Sequence, residues 1–129
     1  MSGDPFPKSS QLARGERRYR RKIASPKTWQ AIIDAKQGPC RCCGGSEPFW
    51  TGFGRAYHHL VSRQDGGDDT ADNIIPLCAF CHEQVTRRDP FRCRSLLLRL
   101  SDAEYAYMVD RGGEGYAERA YGITYERPA

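Results

Sequence analysis

The stretch YHHLVSRQDGGDDTADNIIPLCAFCHEQV, residues 57–85, decides how the rest of the chain is read. It opens among β-formers with two adjacent histidines, His58 and His59, at the end of a predicted short strand over about 56–60. A polar loop with a glycine pair and four aspartates follows, and then NIIPL, residues 73–77, reads as a second short strand. From Cys78 the pattern turns helical, with Phe80, Gln84 and Val85 sharing a side. Successive side chains of a regular strand face opposite sides. Neighbouring histidines therefore serve one site only if the strand twists or breaks at His59, where the loop begins.

Two Cys-x-x-Cys pairs, Cys40 with Cys43 and Cys78 with Cys81, stand at the edges of this region. Such spacing sets two thiolates at a turn, as a tetrahedral Zn²⁺ site with bonds of about 2.3 Å requires. Gly44 and Gly45 let backbone amides turn towards the sulfurs. The expectation is a closed structural Cys₄ zinc. The run CRCC offers three cysteines for two positions, but adjacent Cys42 and Cys43 do not easily bind one ion together. Cys40 with Cys43 is the better pair, which leaves Cys42 and Cys93 as free thiols, buried or partly exposed.

A staple suits this chain. Its 129 residues make one domain with a tail, and a mean hydropathy of −0.72 describes a polar protein with a small core. The first residues lack an apolar leader segment, and no apolar run is long enough to span a bilayer. The compartment expected is a reducing cytoplasm without membrane association, where paired cysteines bind metal more readily than they cross-link.

Outside the central stretch, residues 1–25 read as a flexible basic arm and 26–129 as the folded domain. The arm carries Lys8, Arg14, Arg17, Arg18, Arg20, Arg21 and Lys22 against the single acid Glu16. That charge fits phosphate contacts on a nucleic acid, and it fits a solvated tail equally well. Ser25 and Pro26 open a helix with Trp29, Ile32 and Ile33 on one face. Beyond the central stretch a helical extension spans 89–122. Asp89 and Pro90 start its first helix, Ser101 to Glu104 has capping-box spacing, and a last helix ends near Gly122. The class is α+β. Trp29, Phe49, Trp50, Phe53 and Phe80 are expected as a minimal core around the zinc. Asp65, Asp68 and Asp69 beside glycines are expected to form turns rather than to bind metal.

All three histidines of the chain, His58, His59 and His82, gather in this region. Phosphodiester hydrolysis needs a base for water and a cation beside the leaving oxygen. A closed Cys₄ ion has no open position, so a second cation is implied. Two histidines can hold it while the third stays free.

Residues 57–85, with the flanking CRCCGG, resemble the motif of HNH endonucleases, the ββα-metal or His-Me finger nucleases, in their zinc-stapled phage and bacterial branch. The likeness covers the motif core 40–86. It implies His59 as general base, His58 and His82 as ligands of a catalytic divalent cation (Mg²⁺ or Mn²⁺, in some members Ni²⁺ or Zn²⁺), and Asn73 as the tether that orients His59. DNA is the implied substrate, cut to 5′-phosphate and 3′-hydroxyl ends. Arg17, Arg18, Arg20, Arg21, Arg63 and Arg87 are the candidate DNA-binding residues. Further partners to consider are a phage packaging terminase or a second copy of the chain. The rival reading is a non-catalytic zinc-dependent nucleic-acid-binding module, which would need the cysteines but has no use for the histidine set.

Overall fold

The computed structural model describes residues 20–45, 55–125 and 127. Arg17 and Arg18 of the arm, and Phe49, Trp50 and Phe53, lie outside the described residues.

Helix α1, Pro26–Ala35, forms where its signals stand: the Ser25 side chain accepts the Thr28 amide and Pro26 occupies the first turn. Strands β1, Arg55–His59, and β2, Ile74–Cys78, pair antiparallel, with Arg55 opposite Cys78 and His59 opposite Ile74. They form a two-stranded sheet, β2 wholly buried and β1 half-buried. Pro76 donates no ladder bond, which an edge strand tolerates. Its carbonyl accepts the Arg41 amide at 3.0 Å and so fastens the first cysteine turn to β2.

Helix α2, Ala79–Thr86, starts without a linker, since Cys78 ends β2 and also caps the helix through its sulfur. Helix α3, Pro90–Leu98, is capped by Asp89. Helix α4, Asp102–Tyr107, opens on the Ser101–Glu104 capping box and widens into a π turn over Met108–Gly112. Helix α5, Tyr116–Tyr121, ends on Gly122 in the left-handed conformation. No helix among the described residues is long and apolar enough to cross a membrane.

Among the described residues the core is largely aliphatic. Leu60, Val61, Ile75, Leu77, Val85, Leu96 and Leu97 fill it, together with Met108, Tyr116 and Tyr121 from the C-terminal extension. Phe80 is 41% exposed, because its neighbour Cys81 takes the inward position on the first turn of α2. The Phe80 ring lies instead under the Arg92 guanidinium at 5.3 Å. Trp29 is half-buried and stacks on His59. Residues 21–24, expected within the arm, bond to the loop between the strands. Lys22 and Ala24 donate backbone amides to Asp68 and Asp69, so the chain is fastened from about residue 21 onwards.

Glu104 joins three parts of the fold. Its carboxylate, 1% exposed, accepts Lys36 Nζ at 2.6 Å, Arg41 Nη1 at 2.7 Å and the Ser101 amide at 2.7 Å. Burial alone would push this carboxyl up, but Arg41, Lys36 and the Ser101 amide hold it at about 2. A lowered carboxyl stabilises the fold above its unfolded value near 4.5, and this is lost as pH falls towards 2. In urea melts, Glu104→Gln is expected to unfold about 3 kcal/mol more easily at pH 7. That difference should narrow below pH 4.5. Thiol protonation in acid affects both proteins alike, so a gap that stays constant with pH would refute this role of Glu104.

Candidate active site and metal centre

The sulfurs of Cys40, Cys43, Cys78 and Cys81 lie within 4.8 Å of one another. A tetrahedron of Zn–S bonds of about 2.3 Å has edges of about 3.8 Å, so the four can hold a zinc ion. Backbone amides support them: Cys42 and Cys43 donate to Cys40 Sγ at 3.4 and 3.5 Å, Gly45 to Cys43 Sγ at 3.4 Å, and Cys81 to Cys78 Sγ at 3.4 Å. Arg92 Nη1 adds a charged donor to Cys81 Sγ at 3.2 Å. Burial pushes the Cys78 and Cys81 thiols up, and Cys40 raises both further. Four thiols this close ionise together only around a cation. Cys42 and Cys93 are buried and outside the cluster. Elemental analysis is expected to return one ion per chain. Cys78→Ser should lose that ion and most of the thermal transition, since such sites contribute on the order of 10 kcal/mol. An unchanged melting temperature would refute the site.

The loop between the strands is built around Asn73, which is fully buried. Its Oδ1 accepts the Val61 amide at 2.7 Å, and its Nδ2 donates to the carbonyls of Val61 at 3.0 Å and Asp68 at 2.9 Å. The Leu60 amide donates to the Asn73 carbonyl at 2.8 Å. These bonds close the loop immediately after His59. Gly67 passes so near that a Cβ there would stand 1.7 Å from the Val61 oxygen.

β1 ends at His59, and both of its histidines line one cavity of about 600 Å³ together with His82, Trp29, Arg63 and Tyr121. His58 meets His82 edge-on, ring centres 5.4 Å apart, and its Nε2 lies 2.8 Å from the Tyr121 hydroxyl. His59 stacks on Trp29 at 5.9 Å and 10°, and its Nε2 lies 2.9 Å from Asp69 Oδ1. The His82 ring makes no hydrogen bond to another described residue. Burial lowers all three imidazoles. His58 falls to about 3 through burial and the neighbouring His82 and His59, and His82 falls through burial. For His59, burial and the charges of Arg63 and Arg21 outweigh the pull of Asp69.

Asp69, expected in a turn, sits at a bend and faces His59. It is 6% exposed and also receives Arg21 Nη2 at 2.8 Å and the Ala24 amide at 3.0 Å. Burial raises its carboxyl, but His59, Ala24, Arg63 and Arg21 together bring it below the usual carboxylate range. Asp68, 3% exposed, accepts the Lys22 amide and the Tyr107 hydroxyl. These partners stand more than thirty positions away in the chain, so no local pattern announces them.

The candidate DNA-binding arginines divide. Arg63 is exposed and lines the histidine cavity. Arg20 is exposed, and Arg87 pairs with Glu83 on the outer face of α2. Arg21 bonds inward to Asp69 and the Gly67 carbonyl.

Residues 40–88 match the family model for the HNH endonuclease. The Type IV methyl-directed restriction enzyme EcoKMcrA of Escherichia coli (strain K12) is 37% identical over 62 residues, which are 46% of this chain and 22% of that protein. The chain thus spans about a fifth of the length of the curated relative it matches. No solved structure matches it significantly. The cysteine cluster, the two-stranded sheet running into α2 and the histidine cavity all lie on the matched residues or against them, and residues 40–88 are an HNH endonuclease domain.

Proposed function

We propose that this protein is a cation-dependent endonuclease that hydrolyses DNA phosphodiester bonds to 5′-phosphate and 3′-hydroxyl ends. The observation that carries this reading is the unequal partnering of three histidines on one cavity: His59 with a carboxylate, His58 and His82 with each other. His59 is the general base. Asp69, an ionised acceptor, holds the proton on Nε2 and leaves Nδ1 to take one from water. Asn73 fixes the end of β1 so that the ring keeps its place, and Trp29 sets the ring plane. Arg63 supplies charge for a phosphate at the cavity mouth.

His58 and His82 fit a divalent cation such as Mg²⁺ or Mn²⁺, because both are held as neutral imidazoles, each able to offer a lone pair. When bound, such a cation stabilises charge on the leaving oxygen. Cys40, Cys43, Cys78 and Cys81 hold a separate structural Zn²⁺. The likeness to a restriction enzyme supports DNA as the substrate, and Arg20 with the basic residues before it supplies sequence-independent attraction to it.

Supercoiled plasmid incubated with Mn²⁺ or Mg²⁺ is expected to be nicked, and EDTA should abolish nicking. DNA ligase should reseal the nick directly, as 5′-phosphate and 3′-hydroxyl ends require. His59→Ala is expected to lose about 100-fold or more in rate while keeping its fold and its zinc. Equal rates for the two proteins would rule His59 out as base, and a protein that binds plasmid but never nicks it would favour the binding-module reading. The pH profile follows from the lowered His59. The neutral base persists below the ordinary value of 6.5, so the rate should be flat above about pH 6.5 and fall only in more acid solution. An inflection above about pH 7.5 would contradict the assignment.

A further inference from the structure

Tyr121 stands on α5, beyond the matched residues 40–88, yet its buried hydroxyl reaches into the histidine cavity. It donates to the Leu60 carbonyl at 2.5 Å and meets His58 Nε2 at 2.8 Å. A phenol carries one proton, and a carbonyl oxygen only accepts. The proton therefore lies on the Leu60 side. Towards His58 the hydroxyl offers a lone pair, so Nε2 must be the nitrogen that carries hydrogen. In a neutral ring the remaining nitrogen, Nδ1, then holds the free lone pair.

We propose that Tyr121 is a positioning residue that locks His58 as the Nε2–H tautomer and so presets Nδ1 as the donor for a divalent cation. The lock rests on the reading of His58 as a cation ligand. Histidines that bind metals commonly give their second N–H to an oxygen acceptor, which fixes tautomer and ring orientation. The Tyr121 oxygen fills that place here. Its own position is set from two sides: the Leu60 carbonyl follows His59 directly, and the Tyr116 ring packs edge-on at 6.3 Å. A phenylalanine would fill the same volume, so the hydroxyl is kept in a buried place for its two hydrogen bonds.

The test is long-range ¹H–¹⁵N NMR on the full chain with its cysteine site loaded and no other metal added. Wild-type His58 is expected to show a protonated Nε2 and a bare Nδ1. In Tyr121→Phe the ring should become a mixture of both tautomers. Mn²⁺ affinity, followed by electron paramagnetic resonance, should fall about 10- to 100-fold while zinc content and melting temperature persist. A wild-type His58 protonated at Nδ1 would overturn the lock, as would a Tyr121→Phe protein with unchanged tautomer and unchanged Mn²⁺ affinity. Should that variant fail to fold, the wild-type spectrum decides alone. An Nε2–H ring in a protein that binds Mn²⁺ but never nicks DNA would support the lock and overturn the nuclease reading, whereas a protein that binds no Mn²⁺ would overturn the preset cation donor.

Discussion

Four cysteine sulfurs within 4.8 Å of one another join two parts of the chain whose backbones are far apart in sequence. Much of the surrounding structure follows from that junction. Cys78 closes β2 and caps α2, so the strand-to-helix turn is part of the cluster itself. His82 follows Cys81 and is placed on α2 by the same turn. On the other side, the turn 40–45 brings Arg41 against both the Pro76 carbonyl and the buried Glu104. The cluster is thereby connected through one residue to β2 and to α4. A core as small as this one gains more from such a junction than from added apolar area.

The second organising feature is a set of buried polar groups whose bonds are complementary. Asn73 binds backbone on both sides of the loop, while Asp68 and Asp69 turn inward and collect amides, arginines and the Tyr107 hydroxyl. A buried carboxylate without such partners would be strongly destabilising. With them it specifies one arrangement. Tyr107, Tyr116 and Tyr121 each carry a hydroxyl from the C-terminal extension to the segment 60–68. The extension is thus a wall of the histidine cavity rather than an appendage.

The helix starts were legible because each rests on a few adjacent residues. Ser25 with Pro26, Asp89 with Pro90, and Ser101 with Glu104 all cap where their spacing indicates. The cysteine spacing and the histidine gathering were legible for the same reason. The core was less so. Phe80 stands outward because Cys81 takes the inner position of its turn, and aliphatic residues with two tyrosines from the extension fill the interior. Local context does not reveal the further partners of Asp69 and Arg21, because Asp69 meets His59 and Arg21 across the fold.

By itself, then, the sequence determined the α+β class, the capped helices, the paired strands, the four paired thiols and the three histidines, since these depend on periodicity, turn chemistry and short spacing. Tertiary structure alone decided what each histidine meets. His59 faces Asp69 and Trp29, while His58 faces His82 and the Tyr121 hydroxyl. The physical reason is that the protonated nitrogen of an imidazole follows from the donors and acceptors packed around it, and here these come from the loop and α5. The adjacency of His58 and His59 in the chain carries no information about that packing.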